Sequence, residues 1–189
     1  GNNIMAGAFP ISTSKFQTLG IKSVQKTLLS KSASGKRFAR QIDGQRFSFT
    51  ANIITAKRSD VYGELMAFIM KQRSSKETFT IVPPEISNAR GTASGTPNGT
   101  ASAGDTSITL GGTGTGTLLS GDYIKFSNHD KIYMVVADQS DISTGTITIE
   151  PPLREAVSSS DITYDSVPFT VYLAVSYTHL RAHETDSYL

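Results

Sequence analysis

The sequence predicts a mainly β protein with one α-helix: a β-barrel or sandwich that carries a smaller inserted all-β module. Three observations lead there. Several short segments alternate apolar and polar residues with the period of a strand. Only one segment carries apolar residues at helical spacing. Gly, Ser, Thr and Pro punctuate the rest at the short intervals typical of β architectures.

The elements follow in order. Residues 15–30 are strand-like, with Phe16, Leu19, Ile21, Val24, Leu28 and Leu29 as apolar positions, and Ser32 to Lys36 form a turn. Asp43-Gly44 is a hairpin-turn signal. It precedes the strictly alternating run Arg46 to Ile53, with Phe47, Phe49, Ala51 and Ile53 inward and Arg46, Ser48, Thr50 and Asn52 outward. The helix is capped by Ser59 or Asp60 and places Val61, Leu65, Phe68 and Ile69 on one face. Lys71 and Arg73 stand near its end, where positive charge suits the helix dipole. Thr78 to Val82 is a further strand, stopped by Pro83-Pro84.

From Glu85 the composition changes. Arg90 to Gly104 is almost entirely small and polar and reads as a flexible linker. Short strands at Thr106–Leu110, Tyr123–Phe126, Lys131–Ala137 and Thr146–Ile149 then form a partly open barrel or sandwich. Ile162, Tyr164 and Phe169–Val175 return to strand pattern and rejoin the first sheet. The expected organisation is therefore residues 5–85 plus 162–174 as one β unit with the helix, and 86–161 as linker and inserted module.

Composition bounds the function. The 189 residues contain no Cys, which excludes disulfides, thiolate metal sites and a cysteine nucleophile. No apolar run is long enough to cross a bilayer, and no secretory leader follows Met5, a plausible initiator, so a cytoplasmic origin is expected. The overall charge of +2 hides an asymmetry. Residues 1–85 carry 13 Lys and Arg against 5 Asp and Glu, whereas residues 86–174 carry 4 against 9. Opposite charges on two parts of one chain suit head-to-tail packing between copies, but two surfaces that differ in charge independently are the preferred reading.

No catalytic, cofactor-binding or metal-ligating residue is expected. Gly111-Gly-Thr-Gly-Thr-Gly116 superficially resembles a dinucleotide loop, but no helix can follow it, and it reads as a mobile hairpin tip. Gly35-Lys36 lacks the upstream Gly of a P-loop, since Ser30 stands there. Ser127-Asn-His-Asp130 reads as a turn between strands and not as a triad. Asp138 and Asp141 flank a turn without the ligand spacing of a calcium loop. Lys31, Lys36, Arg37, Arg40 and Arg46 cluster near Phe38, Phe47 and Phe49. Alternation turns Phe47 and Phe49 away from Arg46, so a protein-contacting or solvated basic face is preferred to a nucleic-acid platform. The sequon Asn98-Gly-Thr100 lies in the expected linker and carries no meaning without secretion.

The end of the chain breaks the pattern. Phe169, Val171, Leu173 and Val175 share one strand face, but Val175-Ser-Tyr-Thr-His-Leu-Arg-Ala-His-Glu-Thr185 has neither strand period nor core face. Residues 175–189 resemble translated read-through of a transposase-type sequencing adapter. His179, His183 and Glu184 imitate part of a metal site, but Leu180 stands where the zinc-protease motif needs Glu. Under this reading the native C-terminus is missing.

The order Arg40-Gln-Ile-Asp-Gly-Gln-Arg-Phe-Ser-Phe49, then Phe68-Ile-Met-Lys-Gln-Arg73, then Glu77-Thr-Phe-Thr-Ile-Val-Pro-Pro84 resembles bacteriophage minor tail proteins of the tail tip, related in plan to distal tail proteins. Leu119-Ser-Gly-Asp-Tyr-Ile-Lys-Phe126 and Lys131-Ile-Tyr-Met-Val135 resemble the β modules that such virion proteins carry. The resemblance spans about Met5 to Ala174. It implies structural work: a tail-hub β domain assembling into a homo-oligomeric ring at the end of the tail tube, with other tail proteins as partners and the virion as location. It brings no catalytic residue. A carbohydrate-binding or receptor-binding β module is the alternative, with Tyr123 and Tyr133 as its candidate aromatics.

Overall fold

The computed structural model describes residues 8–10, 16–41, 44–53, 63–73 and 76–174. The protein is mainly β with a single described helix, and its largest unit is a closed six-stranded barrel. The barrel strands are β6 (Pro97–Ala101), β7 (Ser107–Gly112), β8 (Tyr123–Phe126), β9 (Ile132–Val135), β10 (Thr146–Glu150) and β11 (Val157–Thr163). They close in the order β10-β7-β6-β11-β8-β9, every pair antiparallel. Closure removes the open edges that a partly open module would leave.

Alternation fixes which side chains fill the barrel. Ile108 and Leu110, Ile124 and Phe126, Tyr133 and Val135, and Ile147 and Ile149 recur every second residue and point inward. Val157 and Ile162 complete the wall, with Leu118 and Ile142 contributed by loops. Most of these are wholly shielded from solvent. A buried side chain of this size contributes about 1.5–3 kcal/mol, so this cluster dominates the stability of the unit.

The small-residue segment 90–104 is not a linker. Pro97 to Ala101 is barrel strand β6, paired with β7 on one side and β11 on the other. Gly99 faces the interior, and a Cβ there would lie 2.8 Å from both Ile108 Cγ2 and Phe126 Cε1. Composition mimics a linker because the large neighbouring side chains leave room only for glycine. The Gly111–Gly116 run is likewise no free hairpin tip. Its backbone lies against residues 92–97, with Ser94 bridging Thr115, and a Cβ on Gly116 would meet the Thr92 carbonyl oxygen at 2.2 Å. The sequon residue Asn98 therefore sits in a strand.

A second, thinner layer packs on the outside of the barrel. It contains β1 (Phe16–Val24) paired with β4 (Arg46–Ile53), and β5 (Thr78–Ile81) paired with β12 (Phe169–Tyr172). Helix α1 (Gly63–Lys71) completes it, with Glu64 in its first turn and Lys71 in its last. Arg73, at φ 48°, turns the chain out of the helix. The residues expected to cap the helix, Ser59 and Asp60, lie outside the described residues, as does Asp43. The other face of the barrel strands supplies Tyr123, Ile132 and Met134 to this layer's core. They meet Phe47, Phe49, Phe68, Phe79 and Phe169, mostly edge to face: Phe47–Tyr123 at 5.3 Å, Phe49–Phe169 at 5.0 Å and Phe68–Phe79 at 5.0 Å between ring centroids.

Two expectations for the strands change. Ile162 and Tyr164 do not join the first sheet. Ile162 pairs with Phe126 inside the barrel, and the Tyr164 hydroxyl donates to the Gly95 carbonyl. The strands that flank the expected turn at Asp43-Gly44 do not pair with each other. β3 (Arg37–Gln41) pairs with β2 (Thr27–Lys31), whereas β4 pairs with β1. The four strands form one long hairpin with a joint in the middle: β1 runs into β2, the chain turns at 32–36, and β3 runs back into β4.

Candidate interaction surface

The outer half of that hairpin, β2 and β3, projects from the body. Every residue of β2 is exposed, and so are Arg37 to Arg40 of β3. The turn is well defined: Ser32 N–H donates to the Lys36 carbonyl, Gly35 N–H donates to the Ser32 carbonyl, and Lys36 N–H donates to Ser32 Oγ at 3.2 Å. Gly35 adopts φ 81°, a conformation in which a side chain is strained.

Register decides what each face of the projecting hairpin carries. Leu28 stands opposite Arg40 and Ser30 opposite Phe38, so these four share one face. Leu29, Ala39, Lys31 and Arg37 share the other. A shallow groove is lined by Leu28, Ser30, Phe38 and Arg40 of the first face, together with Ala39. Lys36 Nζ lies 5.6 Å from the Phe38 ring centroid, a cation over an aromatic face. Leu28, Leu29 and Phe38 are each more than half exposed. Isolated two-stranded hairpins are marginal in water, and exposed apolar residues along one mark a contact surface.

At the joint, the barrel grips the hairpin. Lys131 Nζ donates to the Gln45 carbonyl and, at 2.7 Å, to Gln45 Oε1, while lying 5.7 Å from the Phe47 ring centroid. Burial lowers the Lys131 pKa, and Arg154 adds to that effect. The hairpin base is thus fixed to the barrel and its outer half is not covered.

Several polar groups of the barrel hydrogen-bond within the fold. Asp122 is buried, and both its oxygens are used: Oδ1 accepts from Arg90 N–H at 3.2 Å and Arg90 Nε at 3.1 Å, and Oδ2 accepts from Leu119 N–H at 2.8 Å. Arg90 also donates to the Ser120 carbonyl. The Gly121-Asp122 pair reads from sequence only as a turn; its role as the anchor that holds residue 90 against the barrel is visible only in three dimensions. Asp141 accepts from Ser143 N–H, as turn residues do, whereas Asp138 accepts from Ser120 N–H in a distant part of the chain. Hydrogen bonds to Ser143 hold the Asp141 carboxyl below its ordinary range.

His129 does sit in a turn between β8 and β9, as its neighbours predict. Nε2 is 2.7 Å from Tyr133 Oη and Nδ1 is 2.9 Å from Asn128 Oδ1. Tyr133 Oη also accepts from Arg154 N–H at 3.0 Å. The ring packs on Phe126 with a centroid separation of 6.1 Å. Ser127 and Asp130 are not its partners: Ser127 N–H donates to the Asp161 carbonyl, and Asp130 pairs with Lys125 at 2.9 Å. The two candidate glycan-binding aromatics are withdrawn from solvent, Tyr133 completely and Tyr123 nearly so.

Among the described residues no group of three His, Cys, Asp or Glu is arranged to hold a metal, and no helix is long and apolar enough to cross a membrane. His179, His183 and Glu184 lie outside the described residues. The class that fold and surface define is a barrel protein with a cationic projecting hairpin. No protein-family model matches the chain, and no curated protein matches it.

Proposed function

We propose that the chain is a structural component of a bacteriophage tail, assembling as a homo-oligomer in the tail tip or the distal tail ring. The observation that carries this reading is the projecting hairpin: a cationic element anchored at its base by Lys131, with Leu28, Leu29 and Phe38 and every residue of β2 exposed. Such an element gains its stability from a partner. The resemblance of the segments Arg40–Phe49, Phe68–Arg73 and Glu77–Pro84 to tail-tip proteins supports the same reading. The carbohydrate-binding alternative loses its support, because both aromatics it relied on are buried.

The test is genomic and physical. The DNA flanking the gene is expected to encode a tape-measure protein upstream and further tail-tip proteins downstream, and metabolic genes on both sides would sink the proposal. Electron microscopy of the purified chain with those neighbours is expected to show ring-shaped particles.

A further inference from the structure

We propose that the projecting hairpin binds duplex DNA, mainly through its phosphates, with the outer half of the ribbon entering the major groove. The inference goes beyond the tail reading, which needs a partner at this hairpin but leaves its chemistry open.

Residues 26–41 hold five cations, Lys26, Lys31, Lys36, Arg37 and Arg40, and no carboxylate. All five are exposed. Lys31 stands directly opposite Arg37 in the strand register. Like charges at paired positions destabilise a ribbon, and an anionic group between them removes that cost. Two ribbons of this charge repel each other, so the partner is a polyanion and not a second hairpin.

The cations are divided between the two faces. Register places Arg40 on the face of Leu28 and Phe38, and Lys36 lies over the Phe38 ring. Lys31 and Arg37 lie on the opposite face. A flat partner meets one face of a ribbon, whereas a groove presents a phosphate wall to each. The major groove of B-DNA, about 12 Å wide and about 8.5 Å deep, admits a two-stranded ribbon. Each five-residue strand, at about 3.4 Å per residue, is longer than that depth. The leading turn, Ser32-Ala-Ser-Gly-Lys36, carries no bulky apolar side chain to block entry, and its internal hydrogen bonds fix it in advance.

The same turn argues against a lipid surface. A segment that sinks into a bilayer gathers its apolar side chains on one side, but Leu28 and Leu29 stand behind the turn on opposite faces. A stacking platform on Phe47 and Phe49 is closed, since both pack against the barrel; groove entry needs neither. Duplex RNA fits less well, because its major groove is deep and too narrow for side chains.

Fluorescence anisotropy of the full chain with a labelled DNA duplex of about 20 base pairs tests this. Wild type is expected to bind with a Kd between about 1 and about 100 μM at about 0.15 M salt, the range of phosphate-led binding. Affinity is expected to fall with salt, with a log–log slope of about −0.9 for each phosphate met. Lys31→Gln with Arg37→Gln is expected to make that slope shallower by about 1.8 and to weaken binding about tenfold at about 0.05 M salt. Lys71→Gln with Arg154→Gln removes the same charge from exposed positions outside the hairpin. That pair is expected to stay within about twofold of wild type. Circular dichroism checks that each variant keeps the wild-type fold.

Absence of binding at about 0.05 M salt overturns the proposal. So does an equal loss in the two double variants, which would assign the attraction to overall charge and not to the hairpin. Duplex RNA bound as tightly as DNA overturns groove entry. Phosphatidylglycerol vesicles bound more tightly than the duplex, with binding abolished by Leu28→Ser and Leu29→Ser, would overturn it by naming lipid as the partner. A chain that ignores the duplex but assembles with the products of its flanking genes remains a tail component with a protein at this hairpin, so the two readings fail separately.

Discussion

The barrel and the projecting hairpin are both built from antiparallel strand pairs and end in opposite environments. In β8, Ile124 and Phe126 alternate with polar or outward residues and are fully buried. In β2 and β3, Leu28 and Phe38 share one face of the strand pair and are more than half exposed. Strand geometry therefore specifies a face, not its burial. Burial needs something opposite the face. The barrel closes on itself and provides it, whereas the hairpin extends past the reach of its own chain.

The largest expected effect breaks this comparison most directly. Phe126→Ala removes a ring that is wholly buried in the barrel and is expected to cost about 3–5 kcal/mol in chemical denaturation. Phe38→Ala removes the same ring from the hairpin and is expected to change the stability of the isolated chain by less than about 0.5 kcal/mol. Equal costs at the two positions would mean that the hairpin is covered in the isolated chain, and the distinction between the two regions would fall.

Those two regions were not equally legible in the sequence. The alternation of Arg46 to Ile53 places Phe47 and Phe49 on the packed side, and the structure does the same. The strands at Tyr123–Phe126 and Thr146–Ile149 lie within a residue of their expected bounds, because turn residues mark both ends. Segment 90–104 was misleading for a physical reason. A linker and a strand pressed against large side chains both select small residues, and Gly99 is small because Ile108 and Phe126 fill the space beside it. Tyr123 and Tyr133 were misleading in the opposite sense. An aromatic residue on a strand does not reveal whether a second layer lies over it, and here Phe47 and Phe169 cover Tyr123. The basic cluster around Lys31–Arg40 was legible as charge, while its projection from the body depended on the long-range pairing of β1 with β4.

A middle-sized effect is expected where the two regions join. Lys131→Met keeps the aliphatic stem over Phe47 but removes the ammonium that donates to Gln45. Hydrogen bonds to charged groups contribute about 1.5–3 kcal/mol, and the cost of burying the lysine offsets part of this. Hydrogen exchange is expected to rise at the hairpin base, residues 44–48, while the barrel amides around Ile147 and Ile149 stay protected. Unchanged exchange at the base would show that aromatic packing alone holds the hairpin to the barrel.

The smallest effect is confined to the barrel and depends on pH. Burial lowers the pKa of His129 from its ordinary value of 6.5, with Glu155 opposing the shift and Arg154 reinforcing it. The hydrogen bonds agree with the direction. Tyr133 Oη accepts from Arg154 N–H and can give its own proton to His129 Nε2, which must then be unprotonated, while Nδ1–H donates to Asn128. A histidine whose folded pKa lies below its unfolded value leaves the unfolded chain holding more protons on the acid side. Its stabilisation is fully present above the unfolded value and is lost as pH falls through the folded one. Barrel stability is therefore expected to decline on acidification below about 6.5, the ordinary histidine value. His129→Gln retains polar atoms for Asn128 and Tyr133 but cannot titrate, so its stability profile is expected to be flatter over that window. A His129→Gln profile as steep as wild type would assign the acid sensitivity to the carboxylates instead, such as Asp141, whose lowered pKa acts at still lower pH.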